Sequence, residues 1–184
     1  IRTQPAEGYY YLGAALGFRA RLLIAQRRFL KAVPEGLRSI KNLRKALVLD
    51  PTLEDAYLGM GMYHYFLTRI PSAAKPFTFL FSRNWGNRAL GLSELQRTAD
   101  KGFLARTEAR SILASIYASD DERQWSKAEP LLRELMERYP YNPLYRLRRS
   151  YVAERRGAWQ DAARWADPDG AWLGGLDGSL REVA

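Results

Sequence analysis

Residue types that do chemistry are sparse in this chain. It has no cysteine and a single histidine, His64. Without cysteine there is no thiol nucleophile, no disulfide and no thiolate metal site. A lone histidine excludes multi-histidine zinc sites and most histidine relays, and His64 reads as a packing residue. No GxxxxGK[ST] loop occurs, and no GxGxxG follows a strand-like run, so the usual backbone cradles for phosphate are missing from the sequence. Asp167-Pro168-Asp169-Gly170 opens like a calcium loop. It lacks the third acidic ligand and the closing glutamate, and reads as a turn. Asp120, Asp121 and Glu122 form an acidic run that reads as a solvated turn. No catalytic residue, metal site or cofactor is therefore expected, and the chain reads as a non-enzyme.

Two other features carry physical chemistry. The first is charge: 29 Lys and Arg against 20 Asp and Glu give a net charge of +9. The basic residues gather at Arg19, Arg21, Arg27 and Arg28, at Arg38, Lys41, Arg44 and Lys45, and between Arg146 and Arg156. Helical spacing puts Arg38, Lys41 and Lys45 on one face, which could follow a phosphate backbone. No regular base-reading pair recurs, so nucleic acid ranks below a protein partner, and solvated faces explain most of the charge. The second is the stretch Lys75-Pro76-Phe77-Thr78-Phe79-Leu80-Phe81-Ser82-Arg83-Asn84-Trp85, whose alternation breaks the helical period. Its aromatics are costly to leave in water. Residues 71–86 are expected to pack back on the helices. A partner-binding plug or an anionic membrane contact through Phe77, Phe79, Phe81 and Trp85 are the alternatives.

These residues must be positioned by helices, because apolar residues recur at helical spacing nearly throughout. Leu12, Leu16, Leu23 and Ile24 mark a first helix. Pro34 suits the first turn of a second, which ends at Asp50-Pro51. Further helices are predicted at 53–67, 87–100, 105–118, 124–138, 143–156 and 159–166, with stops at Asp120-Asp121, Tyr139-Pro140 and Gly157. No run of strands with hairpin turns appears. No apolar run reaches the roughly 18 residues of a membrane-spanning helix. Residues 1–166 read as one helical domain and 167–184 as a Gly-rich tail.

The helices repeat. Tyr9, Leu12-Gly13 and Leu16 recur at identical spacing as Tyr57, Met60-Gly61 and His64, then more weakly as Leu113-Ala114 and Tyr117, and between Arg146 and Ala153. The partner helices carry Ser39, Leu43, Ala46 and Pro51, then Gly91, Leu95 and Thr98, then Ala128, Leu132, Leu135 and Pro140, then Ala162. Small residues at these positions let two helices approach, and large ones fill the gaps between hairpins. The pattern resembles the tetratricopeptide repeat, a helix hairpin of roughly 34 residues. The resemblance implies an all-α fold, a right-handed α-solenoid of about four degenerate hairpins. The first two hairpins hold insertions, about 14 residues between Phe18 and Ser39 and about 18 between Phe66 and Gly91 against that unit length.

Runs such as Leu12–Arg21, Asp55–Tyr65, Phe103–Arg110 and Arg138–Leu144 are similar to a group of bacterial tetratricopeptide proteins, often exported and carrying further repeats upstream. That resemblance implies the C-terminal part of a longer, periplasmic or exported protein, with a cytoplasmic one as the alternative. The repeat register implies a concave groove formed by the first helix of each hairpin. Its projecting positions are Tyr10, Phe18, Asp55, Leu58, Met62, Tyr65, Phe66, Glu108 and Tyr151, with Glu7, Asp55 and Glu108 as acidic edges that favour a ligand with some basic residues. The function expected is a non-catalytic scaffold holding an extended or helical segment of another protein there. The alternative is an envelope or membrane-surface assembly factor working through 71–86 and the basic helix faces.

Overall fold

The computed structural model describes residues 5–69 and 86–166. Phe77, Phe79, Phe81 and Trp85 of the aromatic insertion, and the Gly-rich tail with Asp167–Gly170, lie outside the described residues. Eight α-helices and no strand occur among those described: α1 (Pro5–Ala25), α2 (Phe29–Leu49), α3 (Ala56–Leu67), α4 (Arg88–Lys101), α5 (Arg106–Tyr117), α6 (Trp125–Arg138), α7 (Pro143–Arg155) and α8 (Trp159–Ala166). The fold is all-α.

Local chemistry sets the boundaries. The Asn87 side chain accepts from the Leu90 N–H at 2.9 Å, capping α4. Asn142 does the same for Leu144 at 3.1 Å, with Pro143 in the first helical position where its missing N–H is harmless. Asp50 ends α2 and accepts from both the N–H and the hydroxyl of Thr52, at 2.9 and 2.6 Å. Gly157, at φ 76°, closes α7: the Ala158 N–H reaches back to the Ala153 carbonyl at 2.9 Å. Arg27 does the same job after α1 at φ 58°, with the Arg28 N–H on the Leu23 carbonyl at 2.8 Å.

One boundary departs from the sequence expectation. α2 starts at Phe29, so Pro34 lies inside the helix rather than in its first turn. Proline removes one backbone bond, yet the turn before it forms. The Lys31 and Ala32 N–H groups both bond the Arg28 carbonyl at 3.1 Å, and Ala32 is buried. The helix thus begins ahead of the proline.

The chain divides into two compact units, Ile1–Ala109 and Arg110–Ala184. In the first, α1 packs on α2, α3 on α4, and α2 and α1 on α3. Gly13 faces Leu43 and Gly17 faces Ser39, rising numbers against falling ones, as in an antiparallel hairpin. The Ser39 hydroxyl donates to the Gly13 carbonyl at 2.7 Å. α3 and α4 approach more closely still. A Cβ at Gly91 would lie 2.5 Å from the Tyr65 nitrogen, and one at Gly61 2.8 Å from the Gly91 carbonyl oxygen. These contacts are backbone on backbone, so only glycine fits. Tyr10, Ile40, Leu43, Ala46, Ala56 and Met60 form the core between α1, α2 and α3.

In the second unit, α6 packs on α7 and α7 on α8. Leu113, Leu132, Leu135 and Val152 are fully buried. Trp165 of α8 is stacked by Arg149 of α7 at 4.2 Å, and Arg149 also holds Glu129 of α6.

Candidate functional site

The groove residues of the first unit divide into those the fold has consumed and those it leaves to solvent. Tyr10 is 8% exposed and belongs to the core. Burial, then the negative charges of Asp55, Tyr11 and Glu108, push its phenol up to about 12. Tyr65 is 3% exposed; its hydroxyl accepts from Arg69 at 2.9 Å, and that guanidinium lies 5.2 Å over its ring. The reason is rotational. α3 presses against α4 at Gly61 and Gly91, and Tyr65 sits one turn along from Gly61 on that same buried side. Neither tyrosine projects into open space, contrary to the sequence expectation.

Asp55 differs from expectation in the same way. It is buried, and its carboxylate accepts three backbone N–H bonds, from Phe103 at 2.9 Å, Leu104 at 3.1 Å and Ala105 at 2.9 Å. It clamps the chain just ahead of α5 rather than forming an acidic rim. Gly102 makes room for it, since a Cβ there would lie 2.8 Å from the Asp55 oxygen. Beside it Arg97 grips Glu54 through two nitrogens, with the second bond at 3.0 Å, and reaches the Pro51 carbonyl at 3.1 Å. That hydrogen bonding holds the Glu54 carboxyl below its ordinary range. Thr98, fully buried, donates to the Glu54 carbonyl at 3.0 Å. Glu108 is paired with Arg21 of α1.

What remains open is apolar. Phe18 is 56% exposed on α1, with Arg21 5.5 Å over its ring. On α3, Leu58 and Met62 are half-buried and Phe66 is 46% exposed. The latter three recur every four residues, so they form one stripe along α3. Tyr151 belongs to the second unit. It is half-buried, and its hydroxyl accepts from Arg155 at 3.1 Å, while Arg155 also pairs with Asp120 at 2.7 Å.

His64 and the acidic run at 120–122 are engaged in structure. His64 Nδ1 meets Glu94 at 2.6 Å, both largely buried. Burial raises the Glu94 carboxyl, while hydrogen bonding and charge from His64, and then the charge of Arg44, oppose the rise. Asp120 spans to Arg155, and Glu122 accepts from Gln124 at 3.0 Å, so the acidic run closes a turn. Among the described residues no group of three or more His, Asp or Glu could hold a metal ion. Many cations lie over aromatic rings: Lys45 over Tyr9 at 4.2 Å, Arg97 over Tyr57 at 3.9 Å, Arg44 over Tyr63 at 5.8 Å. The Asp55 clamp, the Glu54–Arg97 grip and the His64–Glu94 pair were all missed in the sequence. Their partners lie 30 to 50 residues apart with no local signal.

No family model, no curated protein and no solved structure matches this chain. No helix among the described residues is long and apolar enough to cross a membrane.

Proposed function

We propose that the hairpins are tetratricopeptide-like repeats and that the chain is a non-catalytic scaffold, holding a segment of another protein against Phe18, Leu58, Met62 and Phe66. One observation carries this reading: an apolar stripe reaches the surface of a helix whose adjoining side is locked. α3 meets α4 at backbone distance, and the chain leading into it is fixed by Glu54 and Asp55. A rigid helix face loses little entropy when a partner covers it. Phenylalanine provides large anchors, and methionine adapts to varied partners.

The placement of the acidic groups supports a narrower ligand chemistry. Asp55 is used internally and Glu108 faces Arg21, so only Glu7 remains as an open acidic edge among those three. Recognition therefore rests on apolar side chains in the ligand more than on basic ones. The test is a displayed random-peptide library panned on the full chain, followed by anisotropy titration of the selected peptides. Leu58→Ser with Phe66→Ser is expected to weaken binding by about a hundredfold, from two anchors of about 1.5 kcal/mol each, with helix content retained. Equal affinity for parent and double variant would remove this face as the site. The membrane-surface alternative through 71–86 depends on residues outside those described.

A further inference from the structure

The described helices of the first hairpin are long. α1 and α2 have 21 residues each, against 12 in α3 and 14 in α4. At about 1.5 Å per residue the excess is roughly 10–13 Å of helix. The core cluster places it. Its α1 members end at Ala14 and its α2 members begin at Ile40, so the surplus lies at the turn end, around residues 18–38. The insertion noticed in the sequence between Phe18 and Ser39 is thus a prolonged hairpin tip. Ala20 and Ala32 are buried within it, and little else is.

This tip is apolar and basic together. Leu22, Ile24, Phe29 and Leu30 are all more than half exposed, and Leu30 at the apex is 91% exposed. Between Glu7 and Glu35 the chain has no acidic residue but carries Arg19, Arg21, Arg27, Arg28 and Lys31. Arg19 lies 3.9 Å from Glu35, and Arg21 pairs with Glu108. Arg27, Arg28 and Lys31 have no ion pair among the described residues. Arg27 also occupies a left-handed conformation at φ 58°, as Arg123 does at φ 50° in the turn after α5.

We infer that the α1–α2 tip docks on an anionic lipid surface, with Phe29 and Leu30 entering the headgroup boundary and Arg27, Arg28 and Lys31 meeting lipid phosphates. Convexity favours a bilayer over a protein partner. Protein anchors seat in pockets ringed by other contacts, whereas here the apolar residues stand exposed at a helix turn with cations beside them. Basic side chains beside an interface gain from the negative surface potential, and their long stems accommodate the depth. This site is separate from the apolar stripe proposed for protein binding, and each stands if the other fails.

The test is co-sedimentation of the full chain with phosphatidylcholine vesicles, with and without phosphatidylglycerol. The parent is expected to bind the anionic vesicles, more weakly as salt rises, and to ignore the neutral ones. Phe29→Ser with Leu30→Ser, and separately Arg28→Gln with Lys31→Gln, should each weaken binding about tenfold or more. Val48→Ser, at the other end of α2 and equally exposed, should leave it unchanged. All these side chains are exposed, so circular dichroism should match the parent. Failure to bind either vesicle overturns the inference, as does binding that both tip variants retain. Capture of soluble polyglutamate in place of vesicles, lost in the charge variant, overturns it in favour of an acidic protein surface.

Discussion

The contact between α3 and α4 makes a sharp demand on Gly91. A methyl group there would stand 2.5 Å from the Tyr65 nitrogen, 2.8 Å from the Gly61 oxygen and 2.9 Å from the Tyr65 Cα. Carbon contacts relax at about 3.5–4 Å, so the two helices must part locally by about 1 Å. All three obstacles are backbone, so no rotamer change relieves them. Overpacking of this kind costs about 1–3 kcal/mol, and the helix-propensity gain of alanine over glycine returns about 1 kcal/mol. Because the helix backbones themselves must move, the upper end applies, and Gly91→Ala should destabilise by about 1–2 kcal/mol net. Gly36 is the control. It sits inside α2 with nothing within 4 Å of its Cβ position, so Gly36→Ala should stabilise by about 0.5–1 kcal/mol. Urea unfolding followed by far-ultraviolet circular dichroism measures both. Equal midpoints for the two variants, or a stabilised Gly91→Ala, would refute the reasoning about helix approach.

Removing the Asp55 carboxylate should leave three backbone N–H groups without their partner, so Asp55→Ala is expected to lose about 2–3 kcal/mol in the same urea assay, with Asp55→Asn losing less. Tyr10 gives a pH signature. Its phenol is raised to about 12 in the fold, so the neutral form is favoured there. Its stabilising contribution is complete below the ordinary tyrosine value near 10 and is lost as pH climbs from 10 to about 12. Tyr10→Phe should flatten that alkaline decline relative to the parent in stability measured across this window. Arg27→Gly should raise thermal stability by about 1 kcal/mol, because glycine adopts the left-handed conformation freely, while weakening vesicle binding.

The helices were readable because their punctuation is local. Asp50-Pro51, Tyr139-Pro140 and Gly157 stop helices where turn chemistry says they should. Small residues at 13, 39, 61 and 91 marked where helices touch, since only they permit close approach. Pro34 misled because α2 begins five residues ahead of it, at Phe29, with no side-chain cap to mark the start. The site was read less well. Successive helical residues turn by about 100°, so a small difference in register carries Tyr65 from the open face to the buried one while Phe66 stays outside. Asp55 looked like a rim charge because its partners at 103–105 are invisible to any local pattern. The long first hairpin was present in the sequence as extra length, but the exposure of Phe29 and Leu30 at its turn needed the structure.

The central claim, a partner segment covering the α3 stripe, meets its most direct test in the chain's three methionines. Met60 is buried in the core, Met62 is half-buried on the stripe and Met136 lies on α6 of the second unit. With ¹³C-methyl methionine labelling, each gives one signal. Titration with a library-selected peptide should move the Met62 methyl in step with occupancy while Met136 stays in place. A saturated complex in which Met62 does not move would contradict the account.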